Sequence, residues 1–126
     1  MKHHQSVQSM TDTMARFAAY VSKHLPDDIM AKLRQLRAAE SNPLATVVYD
    51  SMFENLSLAD QLDRPCCQVT GVIQFFIKAG SNFPLLAETR NILDQAVRQA
   101  TAAAPLRHNA VQIFEEKNTG DNTGER

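Results

Sequence analysis

Two short stretches gather the side chains most able to do chemistry. In Arg64-Pro65-Cys66-Cys67-Gln68-Val69-Thr70-Gly71, two thiols, an amide, a hydroxyl and a flexible glycine stand side by side. Thiolates ligate iron–sulfur clusters and zinc. Two cysteines do not close a zinc site, and adjacent ones match no zinc spacing. The commoner reading of a free cysteine is a small buried hydrophobe, so residue types alone leave both readings open. In Pro105-Leu106-Arg107-His108-Asn109, Arg107 offers a planar fork of donors suited to a carboxylate. His108 offers ring nitrogens that can bind a ligand or move a proton. A solvated Arg-His pair following a helix is the simpler reading of the same residues.

The remaining polar candidates read as structural. His24 falls near the end of a helical stretch, where a cation favours the dipole and can cap it. Ser41 reads as a helix cap, because no base is placed to serve it as a nucleophile. Glu115-Glu116-Lys117 is a solvated charge run. Asn55-Leu56-Ser57 fits the glycosylation pattern by chance. Cys66 and Cys67 are too close to pair with each other without strain, so no disulfide framework is expected.

The elements that must position these stretches are mostly helical. Val7, Met10, Met14, Phe17, Val21 and Leu25 recur at steps of three or four and share one helix face. Pro26 interrupts, and Asp27 and Asp28 mark the next helix start; Ile29, Leu33 and Leu36 form its stripe. Ser41-Asn42-Pro43 signals a third helix, whose stripe is Leu44, Val47, Val48, Met52, Leu56, Ala59 and Leu62. It should stop near Asp63, since Pro65 disfavours helix in the residue before it. Val72-Ile73-Gln74-Phe75-Phe76-Ile77 is β-branched and aromatic between Gly71 and Gly80, which predicts a buried strand. After Pro84 a fourth helix is predicted, with Leu86, Ile92, Leu93, Ala96, Val97 and Ala100 inward and Pro105 as its stop.

The fold class expected is therefore α+β, predominantly helical, with about four helices plus a buried strand. A lone strand leaves its ladder groups unpaired, so the chain reads as an incomplete piece of a larger domain. Residues 1–126 form a single unit, with 1–4 and 118–126 expected to be flexible. A net charge of −1 argues against a nucleic-acid surface. No apolar run approaches the roughly 18 residues of a membrane span. The polar start Met1-Lys2-His3-His4-Gln5 is unlike a signal peptide, so a cytoplasmic location is expected.

The two chemical stretches also carry a resemblance. Arg64-Pro65-x-Cys67-Gln68-x-Thr70-Gly71 is similar to the Cys-Gln-Asp-Thr-Gly signature of class I fumarases and tartrate dehydratases, a family of iron–sulfur hydro-lyases. Ala104-Pro105-Leu106-Arg107-His108-Asn109-Ala110-Val111 and Asn118-Thr119-Gly120-Asp121-Asn122-Thr123-Gly124 also match. Leu25-Pro26-Asp27-Asp28 and Phe83-Pro84-Leu85-Leu86 are nearest to the alpha subunits of the tartrate-dehydrating branch. The likeness covers nearly the whole chain.

The resemblance implies a [4Fe–4S] cluster held by three cysteines, whose open iron eases loss of hydroxide from a small dicarboxylate. The product would be oxaloacetate from L(+)-tartrate, or the step would interconvert fumarate and malate. Cys67 matches a cluster ligand, while Gln68 and Arg107 match groups that hold substrate carboxylates. Cys66 stands where the family has a small residue and is not taken as a ligand. Val69 replaces an aspartate implicated in acid–base work, so no catalytic residue is assigned. With one matching cysteine, this fragment is expected to be inactive and not to retain the cluster alone. A beta subunit is the implied partner. Two other readings stand beside this one: a non-catalytic helical interaction module that self-associates as a homo-oligomer or binds a partner subunit, and a small thiol-redox or metal protein using the Cys66-Cys67 pair.

Overall fold

The computed structural model describes residues 2–67 and 72–123, with only the backbone of Lys2. Among the described residues four helices run in order: α1 (Lys2–Lys23), α2 (Asp27–Ala39), α3 (Pro43–Gln61) and α4 (Thr89–Ala103). Their starts follow local chemistry. Asp27 and Asp28 occupy the first turn of α2 after Pro26, where carboxylates favour the exposed N–H groups. The Asn42 side chain accepts the Leu44 N–H at 2.9 Å, and Pro43 takes the first helical position of α3. At the end of α1, His24 Nδ1 lies 2.9 Å from the Tyr20 carbonyl and its ring stacks on Tyr20, so this histidine caps the helix.

The core is the seam between α1 and α4, which pack against each other. The buried positions are small: Thr11, Ala15 and Ala18 on α1, and Ala96, Ala100 and Thr101 on α4 with Ala104 just beyond. Ile92 and Val97 add the larger apolar surface on α4, and Leu85 joins from the preceding turn. The large apolar stripe expected on α1 lies roughly a quarter turn round from the buried positions, at 100° per residue. Phe17 and Val21 are exposed. Periodicity detects bulky residues, whereas small side chains let two helices approach closely and so take the seam. On α4 the expected inward set holds for Ile92, Ala96, Val97 and Ala100, while Leu86 lies before the helix and is exposed.

The predicted buried strand is not present. Residues 72–80 carry no regular element, and Phe76 is 94% exposed. Among the described residues the only ladder contact is an isolated antiparallel bridge between Val111 and Asn118. A β-branched run states what a segment prefers when paired; without a neighbouring strand its N–H and C=O groups gain nothing from forming one. The α+β expectation is thus corrected to a predominantly helical structure among the described residues.

The α2–α3 pair is weakly covered. Arg37 forks onto Asp50 at 2.7 and 3.0 Å and links the two helices. α2 buries no residue, and α3 buries only Ala59. Leu44, Val47, Val48 and Leu62 are exposed, Leu44 at 75%. The chain exposes 9421 Å² in total; a compact monomer of 14.0 kDa would expose about 6,700 Å². No helix among the described residues is long and apolar enough to cross a membrane.

Candidate functional site

The approach to Cys67 begins where α3 stops. Asp63 adopts a positive φ of 52°. Its N–H bonds the Asp60 carbonyl and the next N–H, of Arg64, bonds the Ala59 carbonyl at 2.8 Å. That pair of bonds is a Schellman ending, with aspartate in the left-handed position that glycine usually takes. The Asp63 carboxylate bonds Lys23 Nζ at 2.7 Å, joining the ends of α1 and α3. This hydrogen bond and the lysine's charge hold the Asp63 carboxyl below its ordinary value. Pro65 then prevents the helix from resuming.

The next residue is held at both backbone groups. The Cys66 N–H bonds the Ser22 carbonyl of α1 at 3.1 Å. The Cys66 carbonyl accepts Asn55 Nδ2 from α3 at 2.9 Å. Its thiol also points at the Ser22 carbonyl, 3.5 Å away, and burial pushes that thiol up from its usual value. The two cysteines therefore face different surroundings: Cys66 is half-buried against α1, while Cys67 is exposed. Asn55, read from the sequence only as part of a chance glycosylation pattern, is one of the residues that fixes this loop.

Cys67 and Arg107 line one cleft of about 380 Å³. Phe17, Ala18, Val21 and Ser22 of α1 form one wall, and Val72 to Phe75 form another. The third comprises Leu106, Arg107, Asn109, Ala110 and Asn122. The cleft is thus largely apolar on two sides and carries a thiol, a guanidinium and the three amides of Gln74, Asn109 and Asn122, a composition suited to orienting a small polar ligand. Gln68 and Val69, together with Thr70 and Gly71, lie outside the described residues, as do Gly124, Glu125 and Arg126.

The Arg107 loop is fastened from both sides in sequence, by α4 and by Asn118–Thr123. The Leu106 N–H bonds the Thr101 carbonyl of α4 at 3.2 Å, and the Thr119 N–H bonds the Ala110 carbonyl at 2.9 Å. Asn118 Nδ2 donates to the His108 carbonyl. Asn122 Oδ1 accepts the Asn109 N–H at 2.7 Å. Asp121 stands beside this contact, 3.3 Å from the Arg98 guanidinium, and accepts the Thr123 hydroxyl and N–H. Burial pushes the Asp121 carboxyl up, but the Thr123 hydrogen bonds and Arg98 outweigh it and hold it below its ordinary value. Asn109 and Asn122 were not singled out as site residues from sequence. Both lie within stretches that carry the family resemblance, but the bond between them joins positions 13 residues apart and leaves no local pattern.

No group of three histidine, cysteine or acidic side chains able to hold a metal ion occurs among the described residues. The sequence contains two cysteines, and the cleft receives one of their sulfurs. These residues alone do not fit a cluster that three thiolates must hold.

Residues 11–124 match the model of the family described as fumarate hydratase (Fumerase). The chain is 52% identical over 120 residues to the L(+)-tartrate dehydratase subunit alpha of Escherichia coli (strain K12), covering 95% of this chain and 40% of that protein. The subunit alpha of Shigella sonnei shows the same identity and coverage. A putative L(+)-tartrate dehydratase subunit alpha of Methanocaldococcus jannaschii is 28% identical over 118 residues, covering 91% of this chain and 41% of the relative. The chain thus spans about 40% of the length of the curated relatives it matches.

Proposed function

Because the chain belongs to the fumarate hydratase family, we propose that it is the N-terminal part of an iron–sulfur hydro-lyase alpha subunit that dehydrates L(+)-tartrate to oxaloacetate in the cytoplasm. Interconversion of fumarate and malate is the neighbouring chemistry within the same family. The observation that supports the reading is the shared cleft of Cys67 and Arg107.

In this reading Cys67 contributes one thiolate, and Arg107 binds a substrate carboxylate through its two-pronged donor edge. Gln68 adds an amide donor to the same anion. The family's cluster supplies a Lewis-acidic iron when bound. The other sulfur ligands would have to come from beyond these 126 residues, and a beta subunit would complete the enzyme. Val69 has no proton to give or accept, so the acid–base role of the family's aspartate is vacant in this chain.

The expected outcome of anaerobic reconstitution with iron and sulfide is a chain with substoichiometric iron and no oxaloacetate formed from L(+)-tartrate. Near-stoichiometric iron accompanied by turnover would overturn the expectation that this chain is inactive alone.

A second reading, a helical module that associates with itself, is favoured by one observation. The exposed area exceeds that of a compact monomer by about 2,700 Å², and α3 contributes Leu44, Val47, Val48, Met52 and Leu58 to the exposed apolar surface. An excess of that size is comparable to what stable interfaces cover. Sedimentation equilibrium should then report a mass above one chain; a monomer at all concentrations would remove this reading.

A further inference from the structure

The geometry points to Asn122 as a positioning residue, a strut between α4 and the Arg107 loop that sets where the Arg107 guanidinium meets an anionic ligand. This inference rests on the reading that Arg107 binds a carboxylate. Leu106 to Ala110 form no regular element, so the course of the loop around Arg107 is set by the two backbone bonds at its ends, from Leu106 and to Ala110, and by side-chain bonds between them. Asn122 is the residue that reaches in two directions. Its Oδ1 accepts the Asn109 N–H at 2.7 Å, and its Nδ2 donates to Thr101 Oγ1 on α4 at 3.2 Å.

The anchor on α4 is firm. Thr101 is buried, and its hydroxyl donates onward to the Asp121 carbonyl at 3.4 Å. The strut also requires an unusual backbone. Asn122 has a φ of 60°, a left-handed conformation that asparagine tolerates better than most residues. An asparagine here therefore satisfies two demands at once: the turn's conformation and an amide able to accept at one end and donate at the other. Asn122 also lines the cleft with Arg107 and Cys67, so it fixes the loop at the side facing the ligand.

The test separates the strut from the backbone that carries it. Asn122→Gly keeps the positive φ and removes the amide; Asn122→Asp keeps the acceptor. In the ¹⁵N-labelled full chain, amide exchange at Asn109 should speed up about tenfold in N122G and return close to the original rate in N122D. Affinity for L-tartrate, followed by chemical-shift titration, should fall about fivefold in N122G. It should not fall further when N122G is added to an Arg107→Gln chain, because the strut acts through that arginine. Unchanged Asn109 exchange in N122G would overturn the inference, and so would equal losses of affinity with and without Arg107. An unsubstituted chain that does not bind L-tartrate would sink the dicarboxylate reading, while Asn109 exchange would still decide whether the strut exists.

Discussion

Ala100→Leu is expected to destabilise the chain by about 1–3 kcal/mol, lowering its thermal midpoint by about 5–15 °C. Ala100 and Ala96 have no exposed surface and sit where α4 meets α1. Ala100 is fully covered in a seam whose other buried positions are small, so three added carbons require the helices to separate or the side chain to leave its preferred rotamer. Leucine and alanine have similar helix propensity, which makes the loss a packing effect. Ala102→Leu, on the exposed face of the same helix, is the control and should change stability by no more than about 0.5 kcal/mol. Thermal unfolding followed by circular dichroism reads both. Equal midpoints for the two variants would show that the α1–α4 seam is not close-packed.

Arg107→Gln should weaken binding of L-tartrate by about tenfold or more. A hydrogen bond to a charged group contributes about 1.5–3 kcal/mol, and each 1.4 kcal/mol is about a factor of ten in affinity. Glutamine keeps a donor and loses the charge; Arg107→Lys keeps the charge and loses the fork, so it should fall between the two. The loss should shrink as salt is raised, because the guanidinium is exposed and screened. Calorimetric titration at two ionic strengths tests this. Identical affinities for the original and R107Q chains would remove Arg107 from the ligand site.

Legibility in the sequence followed the range of the interactions. Helix starts at Asp27 and Pro43 were readable because the signals lie within three or four residues: Pro26 with two aspartates, Asn42 with Pro43. The stop after α3 was readable from Pro65, although the residue that turns the chain, Asp63, carried no obvious mark because glycine is the usual choice there. The stretches of Cys67 and Arg107 stood out by residue type, the motif resemblance preferred Cys67 over Cys66, and the structure brings Cys67 and Arg107 to one cleft. The seam was misread on α1 because Thr11, Ala15 and Ala18 are weakly apolar, while Phe17 and Val21 dominated the pattern. The run from Val72 to Ile77 was misread because strand propensity is realised only against a neighbour. Asn55 and Asn122 were missed because a side chain bonding a distant backbone group leaves no period in the sequence.

The cleft draws its walls from Phe17 near one end of the chain and Asn122 near the other, with Cys67 and Arg107 between them. Such a pocket cannot assemble from local structure. Each helix can flicker into being within its own stretch, but the cleft demands closure of loops tens of residues long before any contact compensates for the lost chain entropy. Its appearance therefore marks completion of folding rather than an early stage. A ligand that binds there would stabilise the whole chain at once, because its contacts come from segments far apart in the sequence.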